Sequence, residues 1–332
     1  MKFSLIICTY MRANSLLKLL QSVKEQKLYP NEILIIDGSI DASTQEYLNN
    51  SNFKNLRYFL VDATNRGLTK QRNYGISKVS KDIDVVFFLD DDTILRPTYF
   101  ENLLKTYNQY PDAIGVGGYI TNEVKWEENN TINCTKNYFC FDGFKRKEGI
   151  RFKLRKWLIL IDNTQPGFMP KFSHGRSISY LPPSNKTYPV EFFMGCAMSF
   201  KLKIFKKIQF STYFEGYGLY EDMDFCLRVA NLGKLYVNTT AQLEHHHNEA
   251  GRPNKYNYGK MVVRNGWYVW RVKYPKPTLK ARILFHLNVI ILMKLRFINS
   301  FYGAHKKEAF TEALGRFVGW FTLFFNKSKI NR

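Results

Sequence analysis

Three consecutive carboxylates, Asp90, Asp91 and Asp92, follow the apolar run VVFFL. That run reads as a buried strand, so the acids stand where a strand leaves a core. Negative charges crowded there repel one another unless a cation answers them. Carboxylates spaced i, i+2 can offer oxygens to one hard ion, and Mg2+ or Mn2+ takes such ligands while keeping positions for phosphate oxygens. A bare acidic turn, or the cap of the segment after Pro97, is the plainer alternative. The apolar strand in front and the basic balance of the chain favour an ion joining Asp92 to a diphosphate.

Three further stretches carry chemistry. In FEGYGLYEDMDFCLR, Glu221 and Asp222 open a helix behind a turn containing Gly216 and Gly218. Acids favour helix N-termini, and Asp224 fits that role. A carboxylate held beside a substrate hydroxyl can also accept its proton. In QLEHHHNEAGR, His245, His246 and His247 alternate faces if the segment is extended, so at most two reach one ion. In NRGLTKQRNYG, Asn65 and Gly67 precede Arg72, which can answer negative charge near the acids. Neither GxxxxGK[ST] nor GxGxxG occurs, so a P-loop and a dinucleotide fingerprint are both missing.

The elements that position these residues are legible in the first third. FSLIICTY, EILIIDGS, LRYFLVD and VVFFLD read as strands. Helical spacing fills RANSLLKLLQSVKEQ, where Leu16, Leu19, Leu20 and Val23 share a face, then Ser43 to Asn49 and LTKQRNYGISKVS. Such alternation predicts an α/β fold of right-handed βαβ units around a mostly parallel sheet. Ligands bind such sheets beyond the carboxyl ends of the strands, where Asp37, Asp62 and Asp90 to Asp92 all fall. Residues 121–189 are irregular and basic, and read as an insertion. Strand character resumes at VEFFMGCAMSF. EDMDFCLRVANLG reads as a helix with Met223, Leu227 and Ala230 inward and Gly233 as its C-cap. The tail after Leu279 reads as helical.

The chain has 332 residues, 45% hydrophobic and 16% aromatic, with a formal net charge of +21. Such a chain is drawn to polyanions or anionic surfaces. Its five cysteines include no C-x-x-C pair, and Cys134 and Cys140 are expected as reduced thiols. MKFSLIICTY runs into a strand pattern without a signal-peptide core, and no apolar run reaches about 18 residues. The sequons at Asn129, Asn133, Asn185 and Asn238 are therefore expected to be chance matches, and the chain is expected to be cytoplasmic, at the inner face of the membrane.

SLIICTYMR, EILIIDGSID, NRGLTKQRNYG, FFLDDD, VEFFMGCAMSF, GLYEDMDFCLR and HHHNEAGR, in that order, resemble the family 2 glycosyltransferases. The resemblance spans roughly residues 3 to 270, weakest between about 121 and 187. It implies a GT-A fold, with a Rossmann-like nucleotide-binding half (1–118) and an acceptor half (119–275), followed by a helical extension (276–332). It implies inverting transfer of a sugar from a nucleotide-diphosphate donor, UDP first and dTDP or GDP as options, to a glycan or lipid-linked acceptor. By position, Thr9, Tyr10 and Arg12 border the nucleotide and Asp37 meets the base. Asn65, Gly67 and Arg72 line the nucleotide pocket. Asp90 lies near the ribose beside Asp91, and Asp92 binds Mg2+ or Mn2+. His245 is the matching metal-ligating histidine, with His247 second. Gly195 and Cys196 border the donor and acceptor pocket. Asp222, next to Glu221, is the matching base. DGSID after the second strand, Phe192-Phe193 before the glycine, and Lys201 depart from the commoner pattern.

The apolar, basic-edged tail can pack on the catalytic domain, lie on an anionic membrane, or do both. A sugar nucleotidyltransferase would need a Gly- and Lys/Arg-rich loop after the first strand, and only Arg12 stands there. A nucleic-acid-binding protein would need a basic stripe interleaved with aromatics, for which 145–157 is a thin candidate, so no nucleic acid is expected as a partner.

Overall fold

Strand and helix alternate through the first hundred residues because apolar runs of six or seven residues alternate with amphipathic ones. They form β1 (Phe3–Thr9), α1 (Ala13–Lys24), β2 (Glu32–Asp37), α2 (Ser43–Asn49), β3 (Leu56–Leu60), α3 (Leu68–Lys78) and β4 (Val85–Asp90). β5 (Thr93–Leu95), α4 (Tyr99–Gln109) and β6 (Ala113–Ile120) follow. The computed structural model describes residues 1–129, 134–172, 175–214, 216–247, 253–302 and 304–326. The sequon at Asn133 and the end of the HHHNEAGR block lie outside the described residues. The chain forms two compact units, Met1–Lys125 with Ser177–Gly251, and Trp126–Arg176 with Arg252–Arg332.

After β6 the chain enters the second unit with β7 (Glu127–Glu128), β8 (Tyr138–Phe141), β9 (Phe144–Lys147) and α5 (Ile150–Trp157). It returns to the first with β10 (Thr187–Val190), β11 (Ala197–Lys201), α6 (Glu221–Val229) and β12 (Lys234–His245). It ends in the second with α7 (Lys255–Lys273), α8 (Leu279–Tyr302) and α9 (Lys306–Phe325).

The first unit is a GT-A-like α/β layer. Its sheet runs β10-β12-β6-β11-β4-β1-β2-β3, with β5 beside β12. β1 pairs parallel with both β2 and β4, and β2 parallel with β3. β11 runs antiparallel between β4 and β6. β1 and β2 are buried almost along their whole length and β4 up to its last residue. Strands covered on both faces need continuous apolar runs. Leu16, Leu19, Leu20 and Val23 of α1 are buried, as their spacing predicts. Each such fully buried side chain contributes roughly 1.5–3 kcal/mol.

The chain leaves β1 to build β2 and β3 on one side, then returns to lay β4 on the other. That reversal is the topological switch point where an open α/β sheet leaves a crevice at its carboxyl edge. Register fixes what lies there: Thr9 sits opposite Asp37, and Cys8 opposite Asp90.

Three sequence expectations are corrected here. α6 does not turn Met223 and Ala230 into the core; it buries Glu221, Asp224, Phe225, Cys226, Leu227 and Val229. Its acids can turn inward because arginines meet them: Asp224, in the first turn of the helix as expected, is fully buried against Arg228 at 2.6 Å. The C-cap is Ala230, not Gly233; a side chain at Gly233 would press on Ile114 at 2.9 Å. Cys134 and Cys140 form a disulfide, with Cα atoms 5.8 Å apart, because the tight path into β8 returns one sulfur to the other.

In the second unit, β7-β9-β8 make a small sheet, and α9 packs on both α7 and α8. α7 thus belongs with the tail helices.

Candidate active site

The acids at the end of β4 are answered by two arginines and an imidazole. Asp91 is 3% exposed. Its carboxylate accepts from Thr9 Oγ1 at 2.7 Å and from Arg12 Nη1 at 3.1 Å. Burial pushes the Asp91 carboxyl up to about 7, against the pull of Arg12. Arg12 also lies 3.7 Å from Asp92. Asp91 therefore ties the end of β1 to the end of β4 and is turned away from solvent, while the Asp90 side chain remains 34% exposed.

Arg72, on α3, is the second cation and is 2% exposed. It contacts Glu221 very closely, reaches Asp90 Oδ1 at 3.3 Å and donates to the Gly195 carbonyl at 3.1 Å. The Phe210 ring lies 5.3 Å from the guanidinium carbon. Burial works against this charge, and Glu221 and Asp90 more than compensate, so Arg72 is locked cationic. Burial likewise pushes the Glu221 carboxyl above its ordinary value while Arg72 pulls back.

Asp222 sits next to this pair, partly exposed. Its Oδ2 accepts from the Gly195 amide at 2.8 Å and its Oδ1 from the Met223 amide at 2.7 Å. Burial raises its pKa, and these two amides pull it back. The approach to α6 is left-handed: Gly216, Gly218 and Tyr220 have φ of 65°, 71° and 71°. Glycine takes that conformation without strain, and Gly218 also admits Leu68 and Glu221, either of which a Cβ would meet at 3.2 Å. Gly195 leaves room for three groups: a Cβ there would lie 3.0 Å from Glu221, 3.3 Å from Arg72 and 3.3 Å from Asp222.

His245 ends β12. Its Nε2 is 3.1 Å from Asp92 Oδ1 and its Nδ1 is 3.3 Å from Glu123 Oε1. Glu123 also meets His247 Nε2 at 3.1 Å, whereas His246 turns the other way to Glu244 at 3.1 Å. The alternation expected of an extended segment is thus present. Burial would lower the His245 pKa, but its bonds to Asp92, Cys196 and Glu123 outweigh that and raise it. Glu123 is the participant that sequence reading missed. It stands in the irregular stretch TNEVKW and carries no motif. It reaches the site because β6 and β12 pair with Ile120 opposite Leu243.

Among the described residues two donor sets lie close enough for an ion: Asp90, Cys196 and His245, and Glu123, His245 and His247, each within 4.8 Å. The Cys196 thiol is buried and pushed up to about 11, and a protonated thiol is a poor partner for a hard cation. His245 meets Asp92 at 3.1 Å and shares the first set with Asp90, and carboxylates and imidazole are donors that suit Mn2+ or Mg2+.

Among the other sequence candidates, Asp37 is fully buried and accepts from Ser39 N at 2.8 Å and Tyr58 OH at 3.0 Å. Asn65 closes a turn on Asp62 at 3.2 Å, and Gly67, at φ 115°, caps α3. Tyr10 is exposed beyond the end of β1. Contacts thus link Thr9, Arg12, Asp91, Asp92 and His245 into one group and Arg72, Asp90, Gly195, Glu221 and Asp222 into a second, and the two meet where Asp90 precedes Asp91 in the chain. Asp37 and Asn65 border the same edge with other partners.

The glycosyl transferase family 2 model matches residues 4–208. The chain is similar to a glucosyl-dolichyl phosphate glucuronosyltransferase of Haloferax volcanii, 32% identical over 36% of this chain and 38% of that protein. It is also similar to the O-antigen chain rhamnosyltransferase RfbN of Salmonella typhimurium, 33% identical over 29% of each. The matches thus span about a third of those relatives' own length. Among solved structures, S. aureus TarS is similar at 15% identity and a TM-score of 0.48, over 96% of this chain and 49% of that one.

Proposed function

Because this chain belongs to glycosyl transferase family 2, we propose that it moves a sugar, with inversion, from a nucleoside-diphosphate donor to a hydroxyl of a glycan or lipid-linked acceptor. The observation that carries the reading is Asp222: a partly exposed carboxylate with a raised pKa, aimed by two backbone amides and set beside a buried Arg72–Glu221 pair. A carboxylate so held can take the acceptor hydroxyl's proton as that oxygen bonds to the anomeric carbon. The bond from that carbon to the diphosphate breaks, and its electron pair leaves with the nucleoside diphosphate. Glu221 is held by Arg72, which leaves Asp222 as the carboxylate placed to act as base in a direct displacement. Asp90, Asp92 and His245 would hold Mg2+ or Mn2+, which when bound supplies positive charge against the departing diphosphate. Thr9, Arg12 and Asp91 fix the strand ends that border the nucleotide, and Asp37 lies beside them in register. The names of these two relatives speak of a dolichyl phosphate and an O-antigen chain, which supports a membrane-linked glycan as the acceptor class.

The test is Asp222→Asn. It keeps an oxygen for one of the two backbone amides and removes the base, so transfer should fall by at least about 100-fold while UDP binding, read by calorimetry with Mn2+, stays within error. Turnover at the wild-type rate overturns the base assignment, and a product of retained anomeric configuration overturns direct displacement.

A further inference from the structure

α9 is built with its small residues inward and its large ones outward. Ala309, Ala313, Gly315 and Gly319 are buried. A Cβ on Gly315 would lie 2.0 Å from the Tyr256 carbonyl oxygen, and one on Gly259 of α7 would lie 2.3 Å from the Glu312 carbonyl oxygen. The two backbones therefore touch. The opposite face carries Phe310, Leu314, Phe317, Phe321 and Phe324, each 45 to 53% exposed. Their spacing of three and four residues makes one continuous stripe. α8, packed against α9 through Phe297 and Phe310 at 6.1 Å, adds exposed Phe297, Ile298 and Phe301. A helix that only needed to pack on its neighbours would turn its phenylalanines toward them. Exposed apolar residues that stand singly need no explanation, but a contiguous stripe marks an interaction surface.

The charge on the same helices selects the occupant. Between Leu279 and Phe325 there are seven Lys or Arg residues and two Glu. One of those acids, Glu312, is buried between Arg296 at 2.8 Å and Arg316 at 2.7 Å. Lys280, Arg282, Lys294, Lys306 and Lys307 are exposed. A second copy would bring +21 to meet +21. An anionic lipid surface meets the aromatic stripe with acyl chains and the lysines with headgroup phosphates. Among the described residues no helix is long and apolar enough to cross a bilayer, so a hairpin of this kind lies in the interface. We propose that the outer face of α8 and α9 docks the protein onto an anionic membrane, with the Phe310–Phe324 stripe entering the headgroup boundary.

The experiment is vesicle flotation of the full chain, without nucleotide sugar, so that its outcome is independent of the transfer reaction. Vesicles of phosphatidylcholine alone are compared with vesicles containing phosphatidylglycerol, at low and high salt. The wild type should float with the anionic vesicles, more weakly in high salt. Lys306→Glu with Lys307→Glu should weaken flotation about thirtyfold or more, at ~1 kcal/mol for each lysine near the surface. Phe317→Ser with Phe321→Ser should abolish retention in high salt. Both pairs are exposed, and circular dichroism checks that they fold. A wild type left in the pellet overturns the proposal, whatever the variants do. So does a Phe variant that floats like the wild type, or equal binding to neutral vesicles. Self-association by light scattering that the Phe variant removes, without flotation, assigns the face to a second copy instead.

Discussion

At the scale of single residues, the acidic cluster works by assigning each carboxylate a different partner. Asp91 is buried against Thr9 and Arg12, Asp90 meets Arg72, and Asp92 meets His245. The proposed base, Asp222, is raised by burial, so it holds its proton at a pH where an ordinary aspartate, near 3.9, has lost it. A protonated base cannot act, so kcat should rise with pH through this elevated value and level off above it. Measured on the acid side, a rate that stays flat down to about pH 4 would remove the assignment. Glu123 has a different task. By accepting from His245 Nδ1 it fixes the ring with Nε2 toward Asp92, as carboxylates commonly do behind a metal-binding histidine. Glu123→Gln should therefore weaken Mn2+ binding, read by electron paramagnetic resonance in the presence of UDP, by about 10- to 100-fold. Unchanged affinity would reduce Glu123 to a clamp on the β12 end.

At the scale of elements, glycines decide where backbones and side chains meet, and this explains what the sequence made legible. β1, β2, β4 and α1 announce themselves through apolar runs and periodicity, and the carboxyl ends of the strands locate Asp37 and Asp90 to Asp92 from the sequence. α7 does not. Its close approach to α9 is made at Gly259, which contributes no hydrophobic signal, and the sequence reading assigns no element to KYNYGKMVVRNGWYVWRVK, which is a 19-residue helix. The inward acids of α6 were illegible for a related reason: Glu221 and Asp224 are buried only because Arg72 and Arg228 reach them, across 149 residues in the first case. Glu123 depends on the pairing of β6 with β12, a parallel pairing that no local pattern reveals. Two glycine substitutions probe these approaches. Gly195→Ala puts a methyl 3.0 Å from Glu221, where the backbone is already tied to Asp222 and Arg72 and cannot retreat. A displacement of a few tenths of an ångström at the base should cost about tenfold in kcat with little change in UDP affinity. Gly315→Ala forces α7 and α9 apart at a backbone carbonyl, and should lower stability by about 1–3 kcal/mol in denaturant titration, with nucleotide binding kept.

At the scale of the whole molecule, the chain separates its tasks between two units that interleave along the sequence. The residues proposed for donor binding and proton transfer all lie in Met1–Lys125 and Ser177–Gly251, and the basic, aromatic helices all lie in the other unit. Ligand that binds only the folded first unit stabilises it by mass action, by about 2.7 kcal/mol at a hundredfold excess over Kd. That energy suppresses openings of the unit it occupies, and amide exchange is sensitive to such openings. UDP with Mn2+ should therefore slow exchange around Thr9–Arg12, Asp90–Asp92, Gly195 and Glu221–Asp222. Anionic vesicles should slow it in α8 and α9. Mass-spectrometric exchange on one sample with each addition separates the two. Protection by UDP that is absent from the β4 end and concentrated in Leu279–Phe325 would mean that the basic helices, rather than the acidic strand ends, receive the nucleotide, and the assignment of tasks to units would be reversed.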